Sequence, residues 1–431
     1  MKLSNLENKK ILVVGKGIEG LASYKFLKNK LKNSQIDIVD LREDKDYLKN
    51  QLEYDIAVKS PGIKSDLLKI TYTTPTNIFM SNAKGKIIGI SGTKGKSTTT
   101  TLIYLMLRQQ GFDAYMGGNI GQSPLDFLDK LNDQSWTVLE LSSFQLKDME
   151  ISPHISVLLM IAPEHLDYHV TMEDYVYAKR NILRAQSRED FAVINRDYPA
   201  SNESDIETEA DVFKVSRERE VNLGCFVKDE SVWIRNRGKD LEIIKIKEIG
   251  LRGEHNLENV CAATMAAFLA GVSKNSIVSV LKNFGGLEHR LEFVDEVNGV
   301  KFYNDSLATI PEATIGALNA LKDTETLITG GFDRGLDFWK LGEKIAESEV
   351  KTLILFPVTG EKIWEAVCNV TTNLPEKFEV KTMREAVRIA FAETQPGKIC
   401  LMSPASASFN LFKNYKDRGE QFKKEVQILK D

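Results

Sequence analysis

The run Gly92-Thr93-Lys94-Gly95-Lys96-Ser97-Thr98 holds the residue types that bind nucleotide phosphates. Gly95 would let the backbone approach an anion, Lys96 would neutralise the β- and γ-phosphates, and Ser97 would ligate Mg²⁺. Ile90 stands where the strict phosphate-loop pattern has its first glycine, so a glycine-rich turn with a chance Gly-Lys-Ser stays open as the alternative. Glu140 sits just past a strand, where an acid could reach a metal bound to the phosphates; an ordinary polar strand end is the plainer account. His165, Asp167 and His169 alternate, so an extended segment would put them on one face. That spacing fits a hydrogen-bonded surface cluster as well as a metal site. Tyr175 and Lys179 are four apart on an expected helix, which suits a solvated lysine lying along a ring. Gly15, Gly17 and Gly20 follow a strand, with Asp40 some twenty residues on, as in dinucleotide-binding proteins. That fingerprint alone would suggest NAD, but nothing downstream resembles a hydride-transfer site.

Composition narrows the classes. A formal net charge of -4 disfavours a general nucleic-acid binder, which needs a clustered basic surface. The four cysteines, Cys225, Cys261, Cys368 and Cys400, form no CxxC pair, so a disulfide framework or zinc site is not expected. The N-terminus lacks a signal-peptide apolar core, and no stretch has the length of a membrane span. The expectation is a cytoplasmic protein without membrane insertion or nucleic-acid partner.

These residues need elements to position them, and the pattern is α/β. Ile11–Val14, Ile36–Asp40 and Asp55–Ser60 read as strands, with a helix from the glycine turn to Lys30. A second unit begins at strand Lys86–Ile90, with a helix near Thr98–Gln110 and further strands at Thr137–Leu141, Ile155–Leu159 and Asp190–Asn195. Residues 200–211 are polar and acidic and read as an exposed loop; residues 221–250 alternate like a small antiparallel sheet. Asn256–Leu269 reads as a helix, and strands recur at Val300–Tyr303, Thr326–Ile328, Thr352–Leu355 and Ile399–Leu401. The expected domains are 1–85, 86–286 and 287–431.

The loop Gly92–Thr98 resembles the GTxGKST loop of the Mur ligases, which also lacks the first glycine. Leu139-Glu140-Leu141-Ser142-Ser143-Phe144-Gln145-Leu146, Gly117–Gly121, Glu164–His169, His255–Asn259, His289-Arg290, Asn304-Asp305-Ser306 and Ser403–Ser408 fit the same family, in family order. The resemblance implies an N-terminal Rossmann-like UDP-binding domain, a central P-loop ATPase domain with a parallel sheet plus a small antiparallel sheet, and a C-terminal Rossmann-like domain. It also implies a reaction. ATP phosphorylates the carboxylate of UDP-N-acetylmuramoyl-L-alanine, and the amine of D-glutamate attacks the acyl phosphate. A monomer is expected.

Site residues follow from the same resemblance. Gly92, Thr93, Lys94, Gly95, Lys96, Ser97, Thr98, Asn256, Asn259, Arg290 and Asp305 would contact ATP. Lys96, Glu140, His165 and Lys179 would be catalytic. Ser97, Glu140, His165 and Lys179 would hold two Mg²⁺ ions, Lys179 as an N-carbamate. Ile18, Glu19, Arg42, Ser60, Asn119 and His165 would bind the UDP substrate, and Thr309, Arg334, Ser408 and Tyr415 the amino acid. Leu307 departs from the family, which usually has lysine there, and leaves L-glutamate open as the amino acid. A folate-type ligase and a nucleotide-binding non-enzyme are the rival readings. The N-terminal glycine-turn domain argues against the first, and the presence of Lys96, Glu140, His165 and Lys179 against the second.

Overall fold

The structure, a computed structural model, describes residues 1–164, 166–251, 253–254 and 256–430. Four short apolar strands open the chain: β1 (Lys10–Val14), β2 (Gln35–Val39), β3 (Ile56–Lys59) and β4 (Tyr72–Thr73). They pair in parallel in the order β2-β1-β3-β4, with the helix Ile18–Lys30 as the first crossover.

The central sheet has nine strands: β5 (Lys86–Ser91), β6 (Ala114–Gly118), β7 (Trp136–Glu140), β8 (Ile155–Leu158), β9 (Phe191–Asn195), β10 (Asp211–Ser216), β11 (Gly224–Lys228), β12 (Ser231–Asn236) and β13 (Lys239–Lys245). Its order is β13-β12-β11-β10-β9-β8-β5-β7-β6. β5 lies between β7 and β8, so crossovers leave it in both directions. The carboxyl end of such a strand is where open α/β sheets bind ligands. The antiparallel strands expected over 221–250 are present, but they extend this same sheet, joined through the parallel pair β10–β11. The helix after the phosphate loop begins at Lys96, earlier than the expected Thr98.

Residues 200–211 are not an exposed loop. They fold as a short helix, Pro199–Asn202, a 3-10 turn, Glu203–Glu207, and the start of β10. Two serines there are used inward. Ser201 Oγ donates to the Leu159 carbonyl at 2.8 Å and accepts from the Ile161 N–H at 3.0 Å. Ser204 Oγ accepts from Arg180 Nε at 3.0 Å. Hydrogen bonding removes the penalty that would otherwise keep such serines at the surface.

One hydrophobic core serves both sheets so far described: Ile11, Val13 and Phe79 belong to it together with Leu125, Phe127, Leu139 and Tyr175. A buried ion pair reinforces it. Lys59 Nζ lies 2.8 Å from Asp148 Oδ2, and Tyr72 donates to Asp148 Oδ1 at 3.0 Å. Met1–Phe284 accordingly forms one compact unit and Gly285–Asp431 another.

The second unit is built on β14 (Glu292–Val297), β15 (Val300–Asn304), β16 (Thr324–Gly330), β17 (Thr352–Phe356), β18 (Glu376–Glu379) and β19 (Ile399–Met402), in the order β14-β15-β19-β16-β17-β18. Only β14 is antiparallel to its neighbour. Apolar clusters cover both faces. The chain is thus three α/β domains. No helix among the described residues is long and apolar enough to cross a membrane.

Candidate active site

Two glycines shape the loop after β5. Gly92 has φ +148° and Gly95 φ +83°, a region open to glycine but not to most residues. A Cβ on Gly95 would collide with Asn259 Oδ1, so the loop packs directly against the helix Asn256–Leu269. Asn259 in turn donates to Asn256 Oδ1 at 3.0 Å. Loop and asparagine pair are thereby one assembly. Thr93 is a structural tie: its N–H meets the Met160 carbonyl at 2.6 Å, its hydroxyl the Ala162 carbonyl at 2.9 Å and Tyr175 OH at 3.0 Å. Lys94 is exposed and pairs with Glu164 at 2.8 Å. Ser97 and Thr98 lie half-buried in the first helical turn.

Lys96 Nζ donates to the carbonyls of Gly92 and Thr93, each at 2.9 Å. Lys179 Nζ donates to the same Gly92 carbonyl at 2.7 Å. Lys179 is not the solvated lysine that spacing alone suggested. It is buried in the helix Met172–Arg180, its amine 4.7 Å from the Tyr175 ring centre. Burial, and then the nearby Lys96 ammonium, hold its pKa well below the usual lysine range, against the pull of Glu164 and Glu140.

Glu140 is the last residue of β7, opposite Ile90 of β5, and is buried. Asn119 Nδ2 donates to its Oε1 at 2.8 Å, while Oε2 is buried with no hydrogen-bond partner among the described residues. A buried carboxylate oxygen left open is unusual and marks a place for a cation or a ligand group. An extended segment would have put His165, Asp167 and His169 on one face; Leu166–His169 is instead a short helix, and His165 lies outside the described residues. His169 is buried among Phe144, Tyr168 and Tyr175, with Nε2 2.9 Å from Ser143 Oγ.

A cleft of about 490 Å³ opens beside the glycine turn after β1, and Ile18, Glu19, Ser60 and Asn119 all line it. Ser60 Oγ donates to the Gly15 carbonyl at 3.3 Å, fixing the turn against β3. Arg42 does not line this cleft. Its guanidinium clamps Asp40, Nε to Oδ1 at 2.7 Å and Nη2 to Oδ2 at 3.0 Å, and holds that carboxyl well below its usual range. Gln145, quoted above only as part of a motif, donates to Glu19 Oε1 at 2.7 Å.

In the second unit, the ends of β15, β19 and β16 gather Asp305, Ser403 and Gly330. Asp305 is buried, with Ser403 Oγ donating to Oδ2 at 2.7 Å and the Leu291 N–H to Oδ1 at 3.2 Å; burial pushes its pKa up to about 6. The neighbouring Arg290 is exposed. Phe332 and Ala407 form a β-bridge that ties the loop after β16 to the loop holding Ser408. Arg334 is exposed and sits 5.4 Å over the Phe409 ring. Thr309 is half-buried, Ser408 buried, and the Tyr415 carbonyl accepts from Ser306 Oγ at 2.7 Å. Sequence reasoning passed over Arg418. This fully buried guanidinium donates to Ser306 Oγ, the Ser306 carbonyl and the Ser406 carbonyl at 2.9–3.0 Å. No pattern in the sequence marks it; beside it Gly419 packs so closely that a Cβ would collide with His289 Nδ1. Leu307, half-buried, donates its N–H to the His289 carbonyl at 2.9 Å.

The chain is similar to known proteins along nearly its whole length. Residues 90–267 match the Mur ligase middle domain and residues 289–406 the Mur ligase glutamate ligase domain. A UDP-N-acetylmuramoylalanine–D-glutamate ligase of Acetivibrio thermocellus is 38% identical, over 98% of this chain and 97% of the relative. One from Thermoanaerobacter sp. is 37% identical over 99% of both. The solved UDP-N-acetylmuramate-alanine ligase of Thermotoga maritima has the same fold, with TM-score 0.58 at 14% identity, covering 97% of this chain and 99% of that one. With full-length relatives at this identity and both domains matched, the chain belongs to the Mur ligase family.

Proposed function

We propose that the chain joins D-glutamate to UDP-N-acetylmuramoyl-L-alanine with ATP, in peptidoglycan precursor synthesis, a reaction that belongs in the cytoplasm. The relatives that match it over nearly full length carry that activity in their names. In the reaction, a carboxylate oxygen of the alanyl group attacks the γ-phosphorus and ADP leaves. The amine of D-glutamate then attacks the acyl carbon, loses a proton, and phosphate departs.

The observation that carries the reading is the group around the Gly92 carbonyl: Lys96 and Lys179 both bonded to it, in a site shared with the buried Glu140. Two anions must meet here, and fixed charge that needs no rearrangement is the main lever for bringing them together. Lys96 is held at the mouth of the loop, ready to exchange carbonyl contacts for phosphate oxygens. Thr93 fixes the loop from behind, and Asn259 supports Gly95 while offering, with Asn256, an amide edge to a purine.

The open Glu140 Oε2 fits a divalent cation, with Ser97, His165 and Lys179 as the further ligands that the resemblance implies. Bound Mg²⁺ would draw charge from the phosphoryl oxygens and screen the approaching carboxylate. Carbamylation of Lys179 requires the neutral amine, and burial favours that form. Asn119 bridges the two ligand regions, since it lines the cleft at the glycine turn and donates to Glu140. Ile18, Glu19 and Ser60 would hold the UDP portion in that cleft, with Arg42 acting through Asp40. Arg290 and Asp305 are assigned to ATP by resemblance. Arg334 supplies a cation for one carboxylate of the amino acid, with Thr309, Ser408 and the backbone at Tyr415 for the other groups.

The test is phosphate release from ATP in the presence of UDP-N-acetylmuramoyl-L-alanine and a panel of D- and L-amino acids. Release with D-glutamate alone is expected. Release with L-glutamate but not D-glutamate would overturn the specificity, and no release with any amino acid would overturn the reaction.

A further inference from the structure

Glu19 places a carboxyl group where the proposed function puts the substrate's diphosphate. The residue sits in the first turn of the helix Ile18–Lys30, after a glycine cap with no side-chain acceptor, and it lines the 490 Å³ cleft. A helix start of this kind attracts phosphate oxygens through its free N–H groups. A carboxylate in the same turn competes for those groups and repels the ligand.

Gln145 fixes which Glu19 oxygen can carry a proton. The Gln145 Oε1 accepts from the Ser142 N–H at 2.8 Å in a helix-capping box, so its amide orientation is set. Its Nε2 then donates to Glu19 Oε1 at 2.7 Å. Oε1 is therefore an acceptor, and Oε2 is the oxygen left for a hydrogen. A protonated Oε2 turns from a competitor into a donor toward a phosphate oxygen.

Among the described residues no cation pairs with Glu19, and the charged groups on the surrounding elements have other partners or lie at the surface, Asp37 in β2 accepting from Gln35 and Tyr54. Asp40 across the cleft is held by Arg42, Lys16 pairs with Glu43, and Lys59 in β3 pairs with Asp148. Lys30 at the far end of the same helix pairs with Asp129, and Asp126 in the neighbouring 3-10 turn is exposed. Burial raises the Glu19 pKa to about 7, with the Gln145 hydrogen bond opposing.

We propose that binding of the nucleotide diphosphate takes up a proton at Glu19, which enters the complex as a neutral hydrogen-bond donor. This rests on the assignment of the cleft to the UDP substrate. The diphosphate of UDP-N-acetylmuramoyl-L-alanine is esterified at both ends and does not itself titrate near neutral pH. Proton uptake therefore reports on the protein. Affinity for this substrate should be flat below pH about 7 and fall by up to about tenfold per pH unit above it.

The test is titration calorimetry of the full chain with UDP-N-acetylmuramoyl-L-alanine, at about pH 6 and about pH 8.5, in buffers of different ionisation enthalpy. Uptake approaching one proton at the higher pH is expected. Glu19→Gln, which is permanently neutral, should bind without uptake and lose the fall in affinity between the two pH values. Binding by the unaltered chain with no uptake overturns the inference whether or not the variant folds. Uptake that persists in a folded Glu19→Gln variant also overturns it. No binding at either pH would instead refute the assignment of the cleft, and the inference with it.

Discussion

Lys179 shows how one residue's surroundings decide its chemistry. A lysine four positions from a tyrosine is a common surface pattern, yet here the amine is buried against the Gly92 carbonyl beside a second lysine. Replacing it by alanine should lower kcat at least about 100-fold, because a charge-organising group is lost from the reacting centre. Added formate or acetate should restore part of the rate if the working group is a carbamate. Steady-state rates with and without these acids check both points, and an unchanged rate in Lys179→Ala would remove the residue from the chemistry. Asp305 gives a prediction about stability. Its folded-state pKa of about 6 lies above the ordinary value of 3.8, so the fold favours the protonated form. The stability this group contributes is lost as pH rises toward and through about 6, leaving a penalty of about 2–3 kcal/mol at neutral pH. A carboxamide at this position would keep an acceptor for the Leu291 N–H and a polar group for Ser403. Asp305→Asn should therefore raise the melting temperature at pH about 8, show little gain near pH about 4, and impair activity. Thermal unfolding across that range checks it; an equal shift at both pH values would contradict the titration account.

At the level of elements, the phosphate loop and its partner helix respond as a unit. A methyl on Gly95 would meet Asn259 Oδ1 and would also sit at positive φ. Gly95→Ala should raise KM for ATP by about tenfold or more and leave KM for the UDP substrate nearly unchanged, since the glycine cleft has no part in that clash. Initial rates with each substrate varied in turn separate the two. This loop was legible in the sequence because glycine, lysine and serine after an apolar strand leave few alternatives. β5, β7 and β8 were legible as short, mainly apolar runs rich in isoleucine, valine and leucine. The segment 200–211 was not, because its serines are buried through specific hydrogen bonds that polarity scales count as exposure. The helix at Leu166–His169 was not legible because a single turn leaves no periodicity of its own. Arg418 was missed for a related reason: a fully buried arginine is rare, and here the Ser306 hydroxyl and the carbonyls of Ser306 and Ser406 make it possible. Strand β14 alternates weakly and sits at a sheet edge, where composition says little.

Across the whole molecule, the two compact units divide at Phe284 and Gly285, while the first two sheets share one core. The buried Lys59–Asp148 pair belongs to that shared part. Lys59→Met should destabilise Met1–Phe284 by about 3–5 kcal/mol, because Asp148 is left buried without its cation. Replacing both by apolar residues should recover much of the loss. Urea unfolding followed by tryptophan fluorescence checks this, and a single substitution that costs as little as a surface pair would show that Asp148 finds water instead. That the chain holds three α/β domains was readable from the strand pattern and the motif order together. Which of them share a core was not, since Phe79 and Phe127 meet edge to face across a long stretch of sequence.

That shared core bears on how such chains can be recombined. A crossover between Phe284 and Gly285 hands over the loops holding Arg334 and Ser408 together with their own intact packing clusters. A crossover between the first sheet and the second would separate Ile11 and Val13 from Leu125 and Phe127 and strand half an ion pair in each parent. Chimaeras among homologues should thus be soluble when the C-terminal 285–431 segment is exchanged and aggregate when the N-terminal sheet is exchanged alone. On the proposed assignment of Arg334 and Ser408 to the amino acid, its preference should travel with the exchanged 285–431 segment, while preference for the UDP substrate would have to be changed one substitution at a time.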